Sequence, residues 1–486
     1  MEKIAIIGSG FSSLAAACYL AQAGNAVTIY EKNSTIGGRA RQFKKDGFTF
    51  DMGPTWYWMP DVFERFFNDF GKSPSDYYEL EKLNPAYRVY FGKDDYITIE
   101  DTLEKICAAF EKEEAGSSKK LRKFMEQALD NYNIAIKDLV YRPGVSPLEL
   151  VTVATMKKIG QFFSTISKDV RKEFSNPKLV SILGFPVLFL GAKPSNTPAF
   201  YSFMNYADFG MGTFHPRKGM YSVVNGMKEL AEELGVIIKT DQNVEKINIE
   251  KGSAKSLVVN GEKIDTDVIL SGADYHHTET LLDKKYRQYS ENYWQKKTFA
   301  PSALLFYVGF SKIIENVDHH TLFFDVDFEK HSEEIYDNPQ WPEEPLFYAS
   351  FPSKTDETVA PMDKEAAIFL IPLAPGLHDI PEIREEYFEK IMDRFEKTTN
   401  QDLRNCVIFK ESFCINDFIE DYNSYKGNAY GLANTLLQTA FLRPKLKSAK
   451  VSNLFFTGQL TVPGPGVPPA LISGKLVAGL IKKATK

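Results

Sequence analysis

The chain opens on a short apolar run, Lys3 to Ile7, in which Ile4, Ala5, Ile6 and Ile7 follow one another without a polar break. Such a run reads as a strand buried on both faces. Leu14 to Ala23 is alanine-rich and of helical length, and Gly24 suits the end of that helix. A second strand is predicted over Ala26 to Tyr30. Much further on, Tyr221 to Leu234 reads as a helix, and Val236 to Ile238, Val244 to Ile249, Leu257 to Val259 and Val268 to Leu270 as a β-rich run. The strand, turn and helix order returns at the C-terminal end: Asn453 to Phe456, then Thr457-Gly458-Gln459, then the apolar stretch Ala470 to Ile481. Pro468 and Pro469 suit the first turn of that helix, which therefore starts near Val467.

These three pieces predict an α/β fold with a discontinuous Rossmann-like domain made of residues 1–75, 216–290 and 423–486. A helical insertion over 105–215 separates the first two pieces. A β-sheet substrate domain over 76–104 and 291–422 is inferred from strand-like runs at Ser302 to Phe310 and Ala366 to Pro372, joined by acidic loops.

The first turn carries the chemistry of the fold. Gly8-Ser9-Gly10-Phe11-Ser12-Ser13 lies between a strand and a helix, the context a dinucleotide fingerprint requires. Gly8 permits the tight turn, and Gly10 lets a pyrophosphate approach the N–H groups at the positive helix end. Ser13 stands where a third glycine is usual. Glu31 follows Gly8 by 23 residues, near the spacing at which a carboxylate accepts hydrogen bonds from an adenosine ribose, and it argues against a 2′-phosphate. Gly37-Gly38-Arg39 adds two glycines and a cation near the pyrophosphate, which a plain NAD domain does not need. Phe48 to Asp51 alternates as a strand and closes in Gly53-Pro54-Thr55, a turn suited to bring bare backbone against a flavin ring. The helix starting near Val467 would turn its positive end to the flavin pyrimidine edge, and a strand holding Val244 beside Glu31 would cover the adenine. The predicted cofactor is FAD.

Composition narrows the partners. Lys and Arg number 58 against 64 Asp and Glu, a formal charge of −6 that argues against nucleic acid. Cys18, Cys107, Cys406 and Cys414 have no metal or redox spacing, and with no signal peptide before Ile4 the chain reads as intracellular. Leu179 to Ala192, the longest apolar candidate, is interrupted by Ser181, Gly184 and Pro186 and is too short to span a bilayer. The histidine pairs His276-His277 and His319-His320 cannot normally turn both rings to one ion from a strand, so no metal is expected. Aromatic residues make up 13% of the chain, which fits either a ring-rich core or a flat apolar ligand. Trp56-Tyr57-Trp58-Met59, directly after the flavin turn, either lines a substrate channel or packs in the core. Asp51 either serves as a catalytic base or caps the following turn. Lys119 to Lys123 and Met156 to Phe163 mix basic and apolar residues, as in a helix lying on a membrane or in a solvated helix over a core.

The segments Phe50-Asp51-Met52-Gly53-Pro54, Gly191-Ala192-Lys193-Pro194, Pro198-Ala199-Phe200-Tyr201 and Thr457 to Gly474 resemble the bacterial-type carotenoid desaturases, above all phytoene desaturases, within the FAD-dependent amine-oxidase-like superfamily. The resemblance runs along essentially the whole chain. It implies FAD contacts at Gly8, Gly10, Ser13, Glu31, Gly38, Arg39, Gly53, Pro54, Val244, Gly458 and Val467, flanked by Phe11, Ser12, Lys32, Thr55 and Gln459. Ser13, Met220 and Gln459 depart from the family pattern. The activity implied is desaturation of phytoene towards lycopene by hydride transfer to flavin N5, with the proton lost to a base and the electrons passed to a quinone or oxygen. The polyene substrate implies a peripheral enzyme on the cytoplasmic face of a membrane. Desaturation or isomerisation of a later carotenoid, amine or porphyrinogen oxidation on the same scaffold, and a flavin-bound carotenoid carrier are the alternatives.

Overall fold

The computed structural model describes residues 1–485. A five-stranded parallel sheet runs in the order Leu454–Phe456, Val268–Ser271, Lys3–Ile7, Ala26–Tyr30, Ile237–Lys239. Its strands come from both ends of the chain and from the middle. Both faces are covered, which is why the strands read as unbroken apolar runs. Ile4, Ile6, Val27, Ile29 and Leu270 pack with the helices Phe11–Gln22, Tyr221–Glu233 and Val467–Ala484. The alternate residues Ala5, Ile7, Tyr30 and Ile269 pack towards the three-stranded antiparallel sheet Val244–Glu250, Ser253–Val259, Glu262–Asp265. The alanines of the first helix have a packing reason: a methyl group on Gly474 of the last helix would lie 2.7 Å from Ala15 Cβ and 2.5 Å from the Ser12 carbonyl. Only small residues let these two helices cross so closely.

A seven-stranded sheet follows the order Val407–Phe413, Ser302–Phe310, Glu365–Leu373, Phe347–Ser350, His320–Phe323, Tyr87–Gly92, Asp95–Ile99. Neighbours are antiparallel except for the parallel pair His320–Phe323 and Tyr87–Gly92. Leu304, Phe306, Val308 and Phe369 face the helix Pro381–Thr399 through Phe388, Ile391 and Phe395. The opposite face, with Ala303, Leu305, Leu322 and Leu370, borders a cavity. The acidic segments between the predicted strands are not simple loops. They contain the helices Phe328–Tyr336 and Pro381–Thr399, and the acidic outer face of the second masks the apolar spacing of Tyr387, Phe388, Ile391 and Phe395.

The helical region contains Leu103–Glu113, Ser117–Lys137, Val153–Lys157, Ile159–Phe163, Ile166–Glu173 and Pro177–Gly184. Leu179, Ile182, Leu183, Phe185 and Val187 are buried with the rings of Phe110, Phe174 and Phe209, so the apolar stretch beginning at Leu179 is core and cavity wall. Lys120 and Arg122 pair with Glu114 and Glu104, as in a solvated helix. Exposed apolar side chains gather instead at Val145, Leu148, Val151, Val153, Met156 and Phe163. Among the described residues, no helix is long and apolar enough to cross a membrane.

Candidate active site

One cavity of about 760 Å³ runs from the glycine turn to the aromatic face of the seven-stranded sheet. Gly8, Gly10, Phe11 and Ser12 line its first end, beside Glu31, Lys32 and Val244. Gly38, Arg39, Gly53, Pro54 and Thr55 follow, opposite Gly458, Gln459 and Val467 from the C-terminal segment. Trp56, Trp58 and Met59 continue into a compartment walled by Phe185, Phe203, Phe324 and Phe328. Segments more than 400 residues apart thus meet on one surface, because the first and last strands belong to one sheet.

Three predicted positions lie outside the lining. Ser13 is buried beneath it, against Gly272. Tyr57 stacks on Phe63 with ring centroids 4.2 Å apart, and its hydroxyl is 2.8 Å from that of Tyr78. Asp51 faces away: its carboxylate accepts from Met220 N at 2.6 Å, Tyr221 N at 3.2 Å and Gln42 Nε2 at 3.1 Å. It caps the helix Tyr221–Glu233, with the positive φ of Gly219 setting the approach. Burial raises its pKa to about 6. The cap is therefore not on the Gly53-Pro54 turn, and Met220 serves through its backbone N–H at a position where the resemblance anticipates glycine.

The cradle end has the chemistry of a diphosphate and ribose site. The helix Phe11–Gln22 begins at Gly10 and the helix Val467–Ala484 at Gly466, neither with a side-chain cap. Both positive ends adjoin the cavity. The Arg39 guanidinium is buried, donates to Ser424 Oγ at 2.9 Å and the Asn428 carbonyl at 3.2 Å, and keeps Nε unpartnered. Burial lowers its pKa and the nearby Asp274 opposes that shift. An anion in the cavity would relieve this buried charge. Glu31 Oε2 accepts from Ser9 N at 2.9 Å and Ser9 Oγ at 2.7 Å, and Oε1 accepts from Asn33 N at 2.9 Å. These bonds hold the carboxylate rigid and leave acceptor capacity for ribose hydroxyls. Gly53 has no room for a side chain: a Cβ there would lie 2.1 Å from the Arg39 carbonyl.

Sequence motifs did not mark several groups at this site. Arg443 is buried beneath the last turn, donating to the Leu432 and Gln459 carbonyls and to Asn434 Oδ1 at 2.8, 3.0 and 2.5 Å. Burial lowers its pKa to about 10. Tyr348 joins the lining from the seven-stranded sheet, and His331 and Tyr336 join it from the helix Phe328–Tyr336. None lies in a recognisable motif: strand pairing delivers Tyr348, the helix Phe328–Tyr336 carries His331 and Tyr336, and Arg443 follows a short turn.

The model of the flavin-containing amine oxidoreductases matches residues 11–482. Over 481 residues the chain is 43% identical to a carotenoid 3,4-desaturase of Haloarcula japonica, covering 98% of this chain and 97% of that protein. The chain belongs to the carotenoid desaturases of the flavin-containing amine oxidoreductase family. It is an FAD-dependent oxidoreductase, and the cradle fits that cofactor. A 4,4′-diapophytoene desaturase (4,4′-diaponeurosporene-forming) of Staphylococcus haemolyticus is 32% identical over 489 residues, with 98% and 97% coverage. Among solved structures, an oxidoreductase from Methanosarcina mazei shares the fold at a TM-score of 0.62 and 16% identity, covering 98% of this chain and 100% of that one. A cyclohexylamine oxidase from Brevibacterium oxydans does so at 0.59 and 13%, covering 100% of both chains.

Proposed function

We propose that this enzyme desaturates a carotenoid whose polyene lies in the aromatic compartment, with FAD held in the adjoining cradle. The observation that carries this reading is the continuity of the cavity: the glycine cradle and the walls of Trp56, Trp58, Phe185 and Phe324 belong to one space. Bound FAD supplies the two-electron oxidant that removing two hydrogens from a carbon–carbon single bond requires. The protein's own contribution is to orient and to exclude water. Glu31 holds the ribose, Arg39 and the Gly8–Ser12 backbone the diphosphate, and Gly53 and Pro54 border the ring. Trp56 and Trp58 fix the polyene, Trp58 being held through its Nε1–H to Thr213 Oγ1 at 2.8 Å.

Two substrates fit a desaturase of this kind. Desaturation of phytoene towards lycopene is supported by similarity to the diapophytoene desaturase. Desaturation of a later, already conjugated carotenoid is supported by the higher identity to the 3,4-desaturase, and we favour it. Incubating the FAD-loaded enzyme in liposomes with phytoene or with lycopene-type carotenoids, followed by product chromatography, separates them. Dehydrogenated product from the conjugated carotenoid alone is expected. Turnover confined to phytoene would reverse the preference, and peroxide formation with amines but with neither polyene would overturn both.

Entry from a membrane is part of the proposal. Val145, Leu148, Val153 and Phe163 are 65%, 76%, 77% and 79% exposed, and Gly144, Ser146, Leu150 and Phe162 of the same segment line the cavity. One segment therefore presents apolar side chains to solvent and walls the route inward. Lys157 lies in it and suits anionic headgroups, whereas Arg142 and Lys158 pair with Asp138 and Asp130. The occupant is the cytoplasmic face of a lipid bilayer, where a quinone, or oxygen, is the proposed final electron acceptor.

A further inference from the structure

Desaturation removes hydrogens from two neighbouring carbons. One leaves with its bonding pair, for which FAD is the oxidant, and the other leaves as a proton. That proton comes from a carbon beside a developing allylic cation, so it is strongly acidic. A weak, neutral base suffices if it is close and shielded from water.

Most polar groups of the cavity are committed elsewhere. Glu31 is held by Ser9 and Asn33, Glu149 accepts from the N–H groups of Gly144, Val145 and Ser146, and Asp421 pairs with Arg41. Asp274 accepts from the N–H groups of His277 and Tyr425. His331 has both nitrogens engaged: Leu346 N donates to Nδ1 at 2.9 Å, and Nε2 donates to the Pro372 carbonyl at 2.9 Å.

His320 and Tyr348 are arranged differently. Their strands pair so that Leu322 lies opposite Tyr348, which puts His320 and Tyr348 diagonally on one face of the sheet. His320 Nδ1 is 2.7 Å from Tyr348 Oη, and that hydroxyl is 2.8 Å from Thr55 Oγ1. Tyr348 and Thr55 line the cavity, and Thr55 directly follows Gly53 and Pro54. The His320 ring is wholly buried and stacks on Trp56 with centroids 4.0 Å apart at 12°. Its Nε2 has no hydrogen-bond partner. Behind it, His319 and then His215 continue the row at 4.5 and 4.7 Å between ring centroids, and His215 Nε2 lies 3.3 Å from Asp356 Oδ2. Burial and the neighbouring His215 hold His320 well below the usual imidazole range, so it waits unprotonated.

We propose that Tyr348 and His320 together accept the proton, Tyr348 Oη taking it from the substrate carbon while the tyrosine's own proton passes to His320 Nδ1. The C–H bond breaks and its electron pair becomes the new π bond; one O–H bond forms as another breaks, and an N–H bond forms on the imidazole. The imidazolium then lies face to face with the Trp56 indole, an arrangement that favours a cation. This assignment rests on the functional reading above.

The test uses the FAD-loaded wild type, Tyr348→Phe and His320→Gln, with a carotenoid deuterated separately at each of the two carbons. FAD content, polyene affinity and single-turnover product formation are measured together. Tyr348→Phe should keep FAD and polyene binding, form product roughly 10²- to 10³-fold more slowly, and shift the main isotope effect to the proton-losing carbon. Nitrogen-15 spectra of histidine-labelled wild type should show His320 Nδ1 unprotonated and accepting a hydrogen bond, a signature lost in Tyr348→Phe. Wild-type rates and isotope effects in both variants would overturn the assignment, as would rate losses that merely follow lost binding, or a protonated Nδ1 in the wild type. If the wild type turns over no carotenoid, the functional reading falls first and this assignment falls with it.

Discussion

A methyl group on Gly272 would stand 2.0 Å from Ser13 Oγ: the serine fills the space that the glycine leaves open. Ser13 lies in the first turn of the helix Phe11–Gln22 and Gly272 follows the strand Val268–Ser271, so the pair ties together two elements around the glycine turn. The side chain of Ser13 is accommodated here, beneath the cavity surface, so it takes no room from the cradle.

Overpacking this point should destabilise the fold. Gly272→Ala is expected to lose about 1–3 kcal/mol in chemical denaturation. Ser13→Gly in the same chain should restore much of that loss, and a double-mutant cycle with no coupling would refute the contact.

Glu31, bound to the turn through Ser9, is the residue proposed to reach the cofactor. Glu31→Ala should remove the proposed ribose acceptor and strand the buried Ser9 N–H, a loss of about 1–3 kcal/mol, or roughly 10- to 100-fold in FAD affinity. Fluorescence titration of the apoenzyme with FAD reads this directly; unchanged affinity would remove Glu31 from the site.

Two carboxyls, the half-buried Asp51 and the buried Asp208, predict the pH response. Burial raises Asp51 to about 6 and Asp208, which accepts from Tyr87 Oη at 2.7 Å, to about 8. Both folded values exceed the ordinary value of 3.8. Their contribution to stability is therefore complete below that ordinary value and is lost as pH rises, first through about 6 and then through about 8. Denaturation midpoints should fall across this window in the wild type, and Asp208→Asn should flatten the alkaline step. Asp51→Asn should flatten the lower step and retain most of the turnover, because the carboxylate caps a helix outside the cavity; loss of turnover with FAD still bound would return Asp51 to the chemistry.

The exposed face at 145–163 predicts lipid binding. Replacing Val153 and Phe163 by Asp should abolish co-flotation with anionic liposomes and slow turnover of liposomal substrate, while FAD content stays unchanged. Equal flotation of variant and wild type would show that another surface docks.

The strands of the parallel sheet, the glycine turn, Glu31, Gly53 and the C-terminal helix were legible because each rests on local order: apolar runs, turn residues and fixed spacing along one short segment; of the seven-stranded sheet only Ser302–Phe310 and Glu365–Leu373 were. Pro381–Thr399 was not, because its acidic outer face dominates the composition while its apolar residues are seen only at helical period. The more apolar stretch from Leu179 is the buried one, packed against Phe110 and Phe174, and the mixed segment around Val153 is the exposed one, so hydropathy alone does not say which apolar residues meet solvent.

The sequence by itself determined that a dinucleotide turn, a carboxylate and a second cofactor segment exist, and the similarity they carry set the family. Only the tertiary structure decided that Asp51 points away from the cavity, that Tyr57 is core while Trp56 and Trp58 are wall, and that His320 meets Tyr348. The physical reason is range. A turn or helix start is specified by neighbours in the chain, but the direction of a side chain within a sheet depends on register with strands far away in sequence. Thr55 and Tyr348, separated by 293 positions, share a hydrogen bond that no local pattern encodes.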